Sequence, residues 1–373
     1  MSCDFFAQAA PGVRTLSPYV PGRPESEIKR EYGLAEVIKL ASNENPLGPS
    51  PLGLAAAQAA LAEIARYPDG NGFELKRALA AKYGVETARI TLGAGSNDIL
   101  DLVARAFLTP GDEAVYSDHA FAVYPIATQT AGGRGVSVPA LPAGHAMAYG
   151  HDLAAMRAAI GSRTKVVFIA NPNNPTGTWL APAELEGFLR ELPEHVVVVL
   201  DEAYVEYMAP EQVAPSLAWL ERHPNLVVSR TFSKAYGLAG LRVGYAFAHP
   251  QVTDLLNRAR MPFNVSLPAL AAATAALDDT AFIARSVELN RAGMRQLQDG
   301  LRALGLGWLP SAGNFLCVNV GRSGRQVFQA LLPRGVILRP VDNYALPDFL
   351  RITVGSEREN AVCLRALAEV LAA

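Results

Sequence analysis

Lys234 lies in Arg230-Thr231-Phe232-Ser233-Lys234-Ala235-Tyr236-Gly237-Leu238-Ala239-Gly240-Leu241-Arg242. The preceding Leu226-Val227-Val228-Ser229 reads as a buried strand, which puts the lysine on a loop leaving a sheet edge. A protonated lysine amine is a poor nucleophile, but a site that lowers its pKa lets it form a Schiff base with an aldehyde cofactor. Thr231 and Ser233 ahead of it and Arg242 beyond it are hydroxyl and guanidinium groups suited to a phosphate. Aldehyde and phosphate together point to pyridoxal phosphate. Taken alone, Lys234 reads more readily as a solvated loop lysine; the partners elsewhere in the chain reverse that reading.

Several other stretches carry chemistry at the end of a strand. Ile90-Thr91-Leu92 runs into Gly93-Ala94-Gly95-Ser96-Asn97-Asp98 and then an apolar helix, the arrangement in which free N–H groups and the helix dipole attract an anion. Ser96 and Asn97 would make the phosphate contacts, although a glycine loop this short also serves as a plain turn. The strand Val196–Leu200 delivers Asp201, and a carboxylate buried there is expensive unless paired. A protonated pyridine nitrogen is a suitable partner, and would let the ring withdraw electrons from a substrate carbanion; a helix N-cap is the other reading. Phe121, beyond the strand ending at Tyr116, can stack on a flat heteroaromatic ring or fill the core. The apolar strand Lys165–Ala170 empties into Asn171-Pro172-Asn173-Asn174-Pro175-Thr176-Gly177, too proline-rich for a helix. Arg351 sits inside the apolar strand Leu350–Val354, where a guanidinium requires an anion, either a ligand or a structural salt bridge.

These elements must be positioned by a scaffold. Apolar strand-sized runs separated by helical segments imply a parallel sheet and an α/β fold. The helical stretches fall near 52–65, from about 71 to the stop at Gly84, 151–160 and 282–304, with Arg260–Ser266 a break between helices. The segment through Pro24 is rich in proline and glycine; Leu16–Gly22 cannot be helical, and it reads as an extended arm lying on a surface of its own or a partner subunit. The expected division is an arm and part of a small domain over 1–46, a large cofactor domain over 47–280, and a C-terminal small domain over 281–373, consistent with a chain of 373 residues.

Composition narrows the function classes. A net charge of −2 with no basic stripe argues against nucleic acid. The longest apolar runs are strand-sized, which argues against a membrane span. Met1–Phe6 has neither a basic region nor an apolar core of signal-peptide length, so a cytoplasmic location is expected. Cys3, Cys317 and Cys363 form neither a metal-ligand spacing nor a disulfide framework, and no metal is expected.

Ser233-Lys234-Ala235-Tyr236-Gly237-Leu238-Ala239-Gly240-Leu241-Arg242-Val243-Gly244 closely resembles the cofactor-lysine motif of the class I/II aminotransferases, fold-type I pyridoxal-phosphate enzymes. The Tyr19 arm and Asn43-Glu44-Asn45-Pro46 resemble more narrowly the histidinol-phosphate aminotransferase subfamily. The resemblance runs from the arm to the Arg351 strand. It implies a large domain with a mostly parallel sheet flanked by helices, and a smaller α+β domain built from both ends of the chain. It makes Lys234 the cofactor lysine, Arg242 a phosphate ligand, Phe121 the stacking ring, and Asn174 and Tyr204 the partners of the ring phenolate. It assigns Tyr19, Asn43, Arg339 and Arg351 to substrate. Tyr67 would reach across a homodimer to the neighbouring cofactor phosphate, although by itself it reads as a core or surface tyrosine. The implied reaction, in histidine biosynthesis, converts L-histidinol phosphate and 2-oxoglutarate to imidazole-acetol phosphate and L-glutamate. An aromatic amino acid aminotransferase, a decarboxylase of an amino-acid phosphate and a non-catalytic sensor remain as alternatives.

Overall fold

A computed structural model describes residues 3–18 and 22–372. Val166 to Ile169, Val198 to Leu200 and Leu226 to Val228 have no exposed surface. Strand side chains alternate between faces, so Val167, Ile169, Val198, Leu200 and Val228 join one apolar cluster. Val166, Phe168, Val199 and Val227 join a second cluster on the opposite face. A sheet covered on both faces reads as a continuous apolar run, which is what these segments show.

The strands form a seven-stranded sheet in the order Ile90–Gly93, Gly244–Phe247, Leu226–Thr231, Val197–Asp201, Thr164–Ala170, Glu113–Ser117, Arg134–Val138. Only Gly244–Phe247 runs antiparallel to its neighbours; the other pairings are parallel. The carboxyl ends of all the remaining strands therefore meet along one rim, while the reversed strand brings its amino end, just after Arg242, to the same rim. That rim is where an open α/β sheet presents its binding crevice. The strand before Lys234 is an internal one, so the lysine loop leaves the carboxyl end of a central strand rather than a sheet edge.

Two smaller sheets join distant parts of the chain. Ile38–Lys39 pairs in parallel with Val336–Ile337. Arg339–Pro340, Phe349–Thr353, Phe315–Asn319 and Gly307–Trp308 form an antiparallel sheet. Helices follow their signals: Ser50 caps Pro51–Ala60, Gly84 ends Phe73–Tyr83 in a left-handed conformation, and Asp279 caps the long Thr280–Ala303. The N-terminal arm departs from expectation. Phe5–Gln8 and Pro11–Arg14 are single helical turns, because Asp4 caps the first and Pro11 occupies the first turn of the second, where proline is tolerated. Beyond them Leu16–Pro18 is non-helical, as the prolines require. No single described helix is long and apolar enough to cross a membrane.

Gly237 fastens the lysine loop to the start of the chain. Its φ is +70°, and a Cβ there would lie 2.1 Å from the carbonyl oxygen of Gly48; the Ser50 N–H donates to Tyr236 O nearby at 3.1 Å. Both the conformation and the contact are with backbone, which cannot yield cheaply. Gly237→Ala is expected to destabilise the protein by at least about 2 kcal/mol in denaturant titration.

Candidate active site

At the carboxyl rim lies a cavity of about 260 Å³. Ser96, Asn97, Phe121, Asn174, Asp201, Tyr204, Thr231, Ser233, Lys234 and Arg242 line it, together with Asn43, Arg339 and Arg351 from the smaller sheets and the N-terminal loop. These are all the site residues singled out in the sequence except two. Tyr19 lies outside the described residues. Tyr67 is 82% exposed and stacks on Phe263 at 4.7 Å, away from this cavity in its own chain.

One end of the cavity is built for a dianion. The helix Ser96–Phe107 points its amino terminus there. The Ala94 N–H is taken by the Asp98 carboxylate at 2.8 Å, which fixes the loop ahead of that helix. Gly244 permits the approach: a Cβ there would lie 2.5 Å from Ser96 N and 2.7 Å from Gly95 C. Thr231 donates to Ser233 Oγ at 3.0 Å, and Arg242, in the left-handed region at φ 55°, directs Nη1 to Ser233 Oγ at 3.4 Å and to Ala239 O at 3.0 Å. Two hydroxyls, a guanidinium and a helix terminus converge, and the Asp98 carboxylate in the first turn is engaged by Ala94 N–H.

The middle of the cavity holds charged groups, Lys234 half-buried and Asp201 buried. Among the described residues Lys234 Nζ donates to Ser42 O alone, at 3.3 Å, and sits over the Tyr204 ring at 5.5 Å. Burial, aided by the charges of Arg351 and Arg242, lowers its pKa to about 8, so a useful fraction of the amine is neutral near neutral pH. Asp201 ends its strand and caps no helix. Its Oδ2 accepts from the Tyr124 hydroxyl at 3.1 Å, while Oδ1 is buried without a partner among the described residues. Burial raises its pKa to about 6.

The third group is Arg351, 7% exposed. Among the described residues it makes no ion pair; Nη2 donates to Ala41 O at 2.6 Å and Nη1 to Asn174 Oδ1, while Nε is buried and unpartnered. The structural salt bridge is thereby replaced by carbonyl oxygens. Holding Asn174 by its oxygen leaves the amide Nδ2 as a donor toward the cavity. Asn43 acts likewise on Tyr204: its Nδ2 donates to the phenol oxygen at 2.9 Å, and its Oδ1 accepts from Thr353 at 3.0 Å. The Tyr204 proton is thus free for a ligand oxygen, and burial pushes its pKa up to about 12, keeping it a donor.

The orphaned Asp201 Oδ1, the Gly244 approach and the donor set at the helix terminus fit pyridoxal phosphate: carboxylate to ring nitrogen, amide and phenol to ring oxygen, Phe121 beside the ring, and hydroxyls and guanidinium to phosphate. The family described as aminotransferase class I and II matches residues 35–367. The chain belongs to that family. It is 60% identical to histidinol-phosphate aminotransferase 2 of Pseudomonas aeruginosa over 99% of both chains. It is also 60% identical to histidinol-phosphate aminotransferase 1 of Thiobacillus denitrificans, covering 100% of this chain and 96% of the relative. The solved histidinol-phosphate aminotransferase of Sinorhizobium meliloti, in complex with pyridoxal-5'-phosphate, superposes with a TM-score of 0.88 at 30% identity, covering 98% of each chain. A Thermus thermophilus aspartate aminotransferase mutant superposes at 0.83 with 26% identity, covering 96% and 98%. The chain is a fold-type I aminotransferase of the histidinol-phosphate group.

Sequence reasoning missed the groups that hold these aminotransferase site residues. Tyr124 follows Phe121 by three positions, a helical spacing that puts both on one face and that the sequence did show. Ala41 O, Ser42 O and Thr353 left no signal, because backbone carbonyls and a strand threonine look ordinary in sequence. A buried ion pair, Glu202 with Arg230 at 2.7 Å, lies beside Asp201.

Because folded Asp201 binds its proton more tightly than an unfolded aspartate, the folded state holds more protons between pH 4 and 6. Stability is therefore lost as pH rises through that window. Asp201→Asn removes the cost while keeping an acceptor for Tyr124. Apoprotein of this variant is expected to be more stable than wild type above pH 6, by on the order of 3 kcal/mol, with the gap closing below pH 4. Denaturant titrations across pH read this directly; equal stability at pH 8 would show that Asp201 is not buried as a charge.

Proposed function

We propose that the protein transfers an amino group between L-histidinol phosphate and 2-oxoglutarate, giving imidazole-acetol phosphate and L-glutamate, with pyridoxal phosphate as cofactor. The observation that carries the substrate reading is Arg351. A buried guanidinium without a carboxylate partner among the described residues, lining the cavity together with Arg339 and Lys234, supports a second anion locus apart from the Thr231, Ser233 and Arg242 corner. A substrate ending in phosphate and a dicarboxylic acid can use the same fork in turn. The names of the relatives at 60% identity support the same choice.

When bound, pyridoxal phosphate supplies an aldehyde for the amine and a ring that withdraws electrons. Asp201 would hold a proton on the ring nitrogen through its orphaned oxygen. Asn174 Nδ2 and the Tyr204 hydroxyl would donate to the ring oxygen. Lys234 Nζ takes the proton from the substrate carbon that bears the amine and later returns one as an acid, a role its lowered pKa suits. Arg351 orients the substrate by its anionic end, and Arg339 and Tyr19 refine phosphate recognition.

A homodimer belongs to this reading. Leu52, Leu61, Ile64, Tyr67, Met261 and Phe263 are all large apolar side chains exposed in the chain. Of these, Ile64, Tyr67 and Phe263 line one surface cleft and Tyr67 stacks on Phe263; exposed apolar surface of this kind marks a contact face, and Tyr67 within it would meet the partner's phosphate corner. We also read 1–46 with 281–373 as the smaller domain against 47–280. Three free thiols support a cytoplasmic location.

Three measurements test this. Borohydride reduction of the yellow protein is expected to label Lys234 and no other lysine. A panel of amine donors with 2-oxoglutarate is expected to favour L-histidinol phosphate; faster turnover of phenylalanine or tyrosine would replace it by the aromatic reading. Arg351→Lys keeps charge but loses the fork, and is expected to lower kcat/KM for histidinol phosphate and for glutamate alike by at least about tenfold. Unchanged constants for both would remove Arg351 from the site.

A further inference from the structure

Tyr124 is fully buried on the turn that follows Phe121, with its ring stacked on Phe168 at 4.9 Å and edge-on to Phe121 at 6.0 Å. These contacts leave the hydroxyl one direction, and it donates to Asp201 Oδ2 at 3.1 Å. Burial holds the phenol pKa well above its usual value, so it acts only as a donor. A carboxylate has two oxygens that a ligand cannot tell apart unless one is occupied. Here Oδ2 is occupied and Oδ1 is the buried orphan.

We propose that Tyr124 is the positioning residue of the reaction centre: its hydroxyl fixes the Asp201 carboxylate so that Oδ1 alone meets the ring nitrogen, and favours the ionised carboxylate there. The inference rests on the assignment of Asp201 to that nitrogen. The other ionisable groups around Asp201 are Glu202, already tied to Arg230, Lys234 across the cavity, and Tyr204. None of these donates a side-chain hydrogen bond to Asp201; among the described residues Tyr124 alone does, beside the Ala203 backbone N–H, which also favours the ionised form. The turn leading into the helix, closed by the Tyr124 N–H on Phe121 O at 3.0 Å, would therefore serve both the ring face, through Phe121, and the ring nitrogen, through Tyr124.

The test uses Tyr124→Phe, which keeps the ring packing against Phe121 and Phe168 and hence the fold, together with Asp201→Asn and the double variant. Apoprotein of each is titrated with pyridoxal phosphate, and kcat/KM for the amine donor is followed against pH. Tyr124→Phe is expected to weaken cofactor binding about tenfold. It is also expected to move the acid limb of the profile up by about one pH unit, because a carboxyl without its donor holds its proton to higher pH. KM for the donor should stay unchanged. In the Asp201→Asn background the tyrosine change should add little, since its effect passes through the carboxylate. Wild-type cofactor affinity with an unshifted limb in Tyr124→Phe, or full additivity in the double variant, overturns the proposal while leaving Asp201 in place. Wild-type binding and rates in Asp201→Asn overturn the assignment of Asp201 and this inference with it.

Discussion

The structure turns on three charged groups gathered without pairing, Asp201 and Arg351 buried and Lys234 half-buried. Lys234, Asp201 and Arg351 share one cavity, yet none of them forms an ion pair with another described residue. Carbonyl oxygens of Ser42 and Ala41, the amide of Asn174 and the phenol of Tyr124 satisfy them instead. Dipoles cost less specificity than counterions would: they stabilise a charge without cancelling it, and they leave unpaired atoms for a ligand to meet. The neighbouring Glu202 and Arg230 show the contrast, since they neutralise each other and offer a ligand nothing.

Such an arrangement is unstable unless the surroundings are rigid. The sheet supplies rigidity by burying its central strands on both faces, so the loops at its carboxyl rim start from fixed points. Their other ends are tied down as well. The loop after Ala170 is closed by Leu180 N–H on Asn171 Oδ1 and by Asn173 on Thr176, which holds Asn174 in register. The lysine loop is clamped against Gly48 and Ser50. Arg351 is held in the middle strand of the small sheet, opposite Cys317. Binding groups on rigid elements with supporting hydrogen bonds keep the geometry that proton transfer needs.

The same logic explains the division of labour along the chain. The large sheet carries Asp201, Lys234 and Arg242 to the cavity, while the small sheet and the loop at 41–45 carry Arg351, Arg339 and Asn43 to it. Asn43 joins the two halves, giving hydrogen bonds to Tyr204 on one side and sharing two with Thr353 on the other.

The sequence determined the local pieces. Runs of buried β-branched residues dictated the strands, glycine and proline dictated the rim loops, and Lys234, Asp201, Asn174 and Arg242 were legible because each lies in a motif whose neighbours are close in the chain. Tertiary structure decided what joins residues far apart. Nothing local says that Asn43 meets Thr353, that Arg351 is satisfied by Ala41 O and Asn174 rather than by a carboxylate, or that the strand before Lys234 is central in its sheet. The single helical turns in the arm also escaped a reading by composition, because a capping Asp4 and a Pro11 in the first turn outweigh the general bias of a proline-rich segment. Side-chain type and spacing fix what a segment can form, whereas strand order and carbonyl direction depend on how all the segments pack at once, and the choice between a charge paired and a charge kept open is made there.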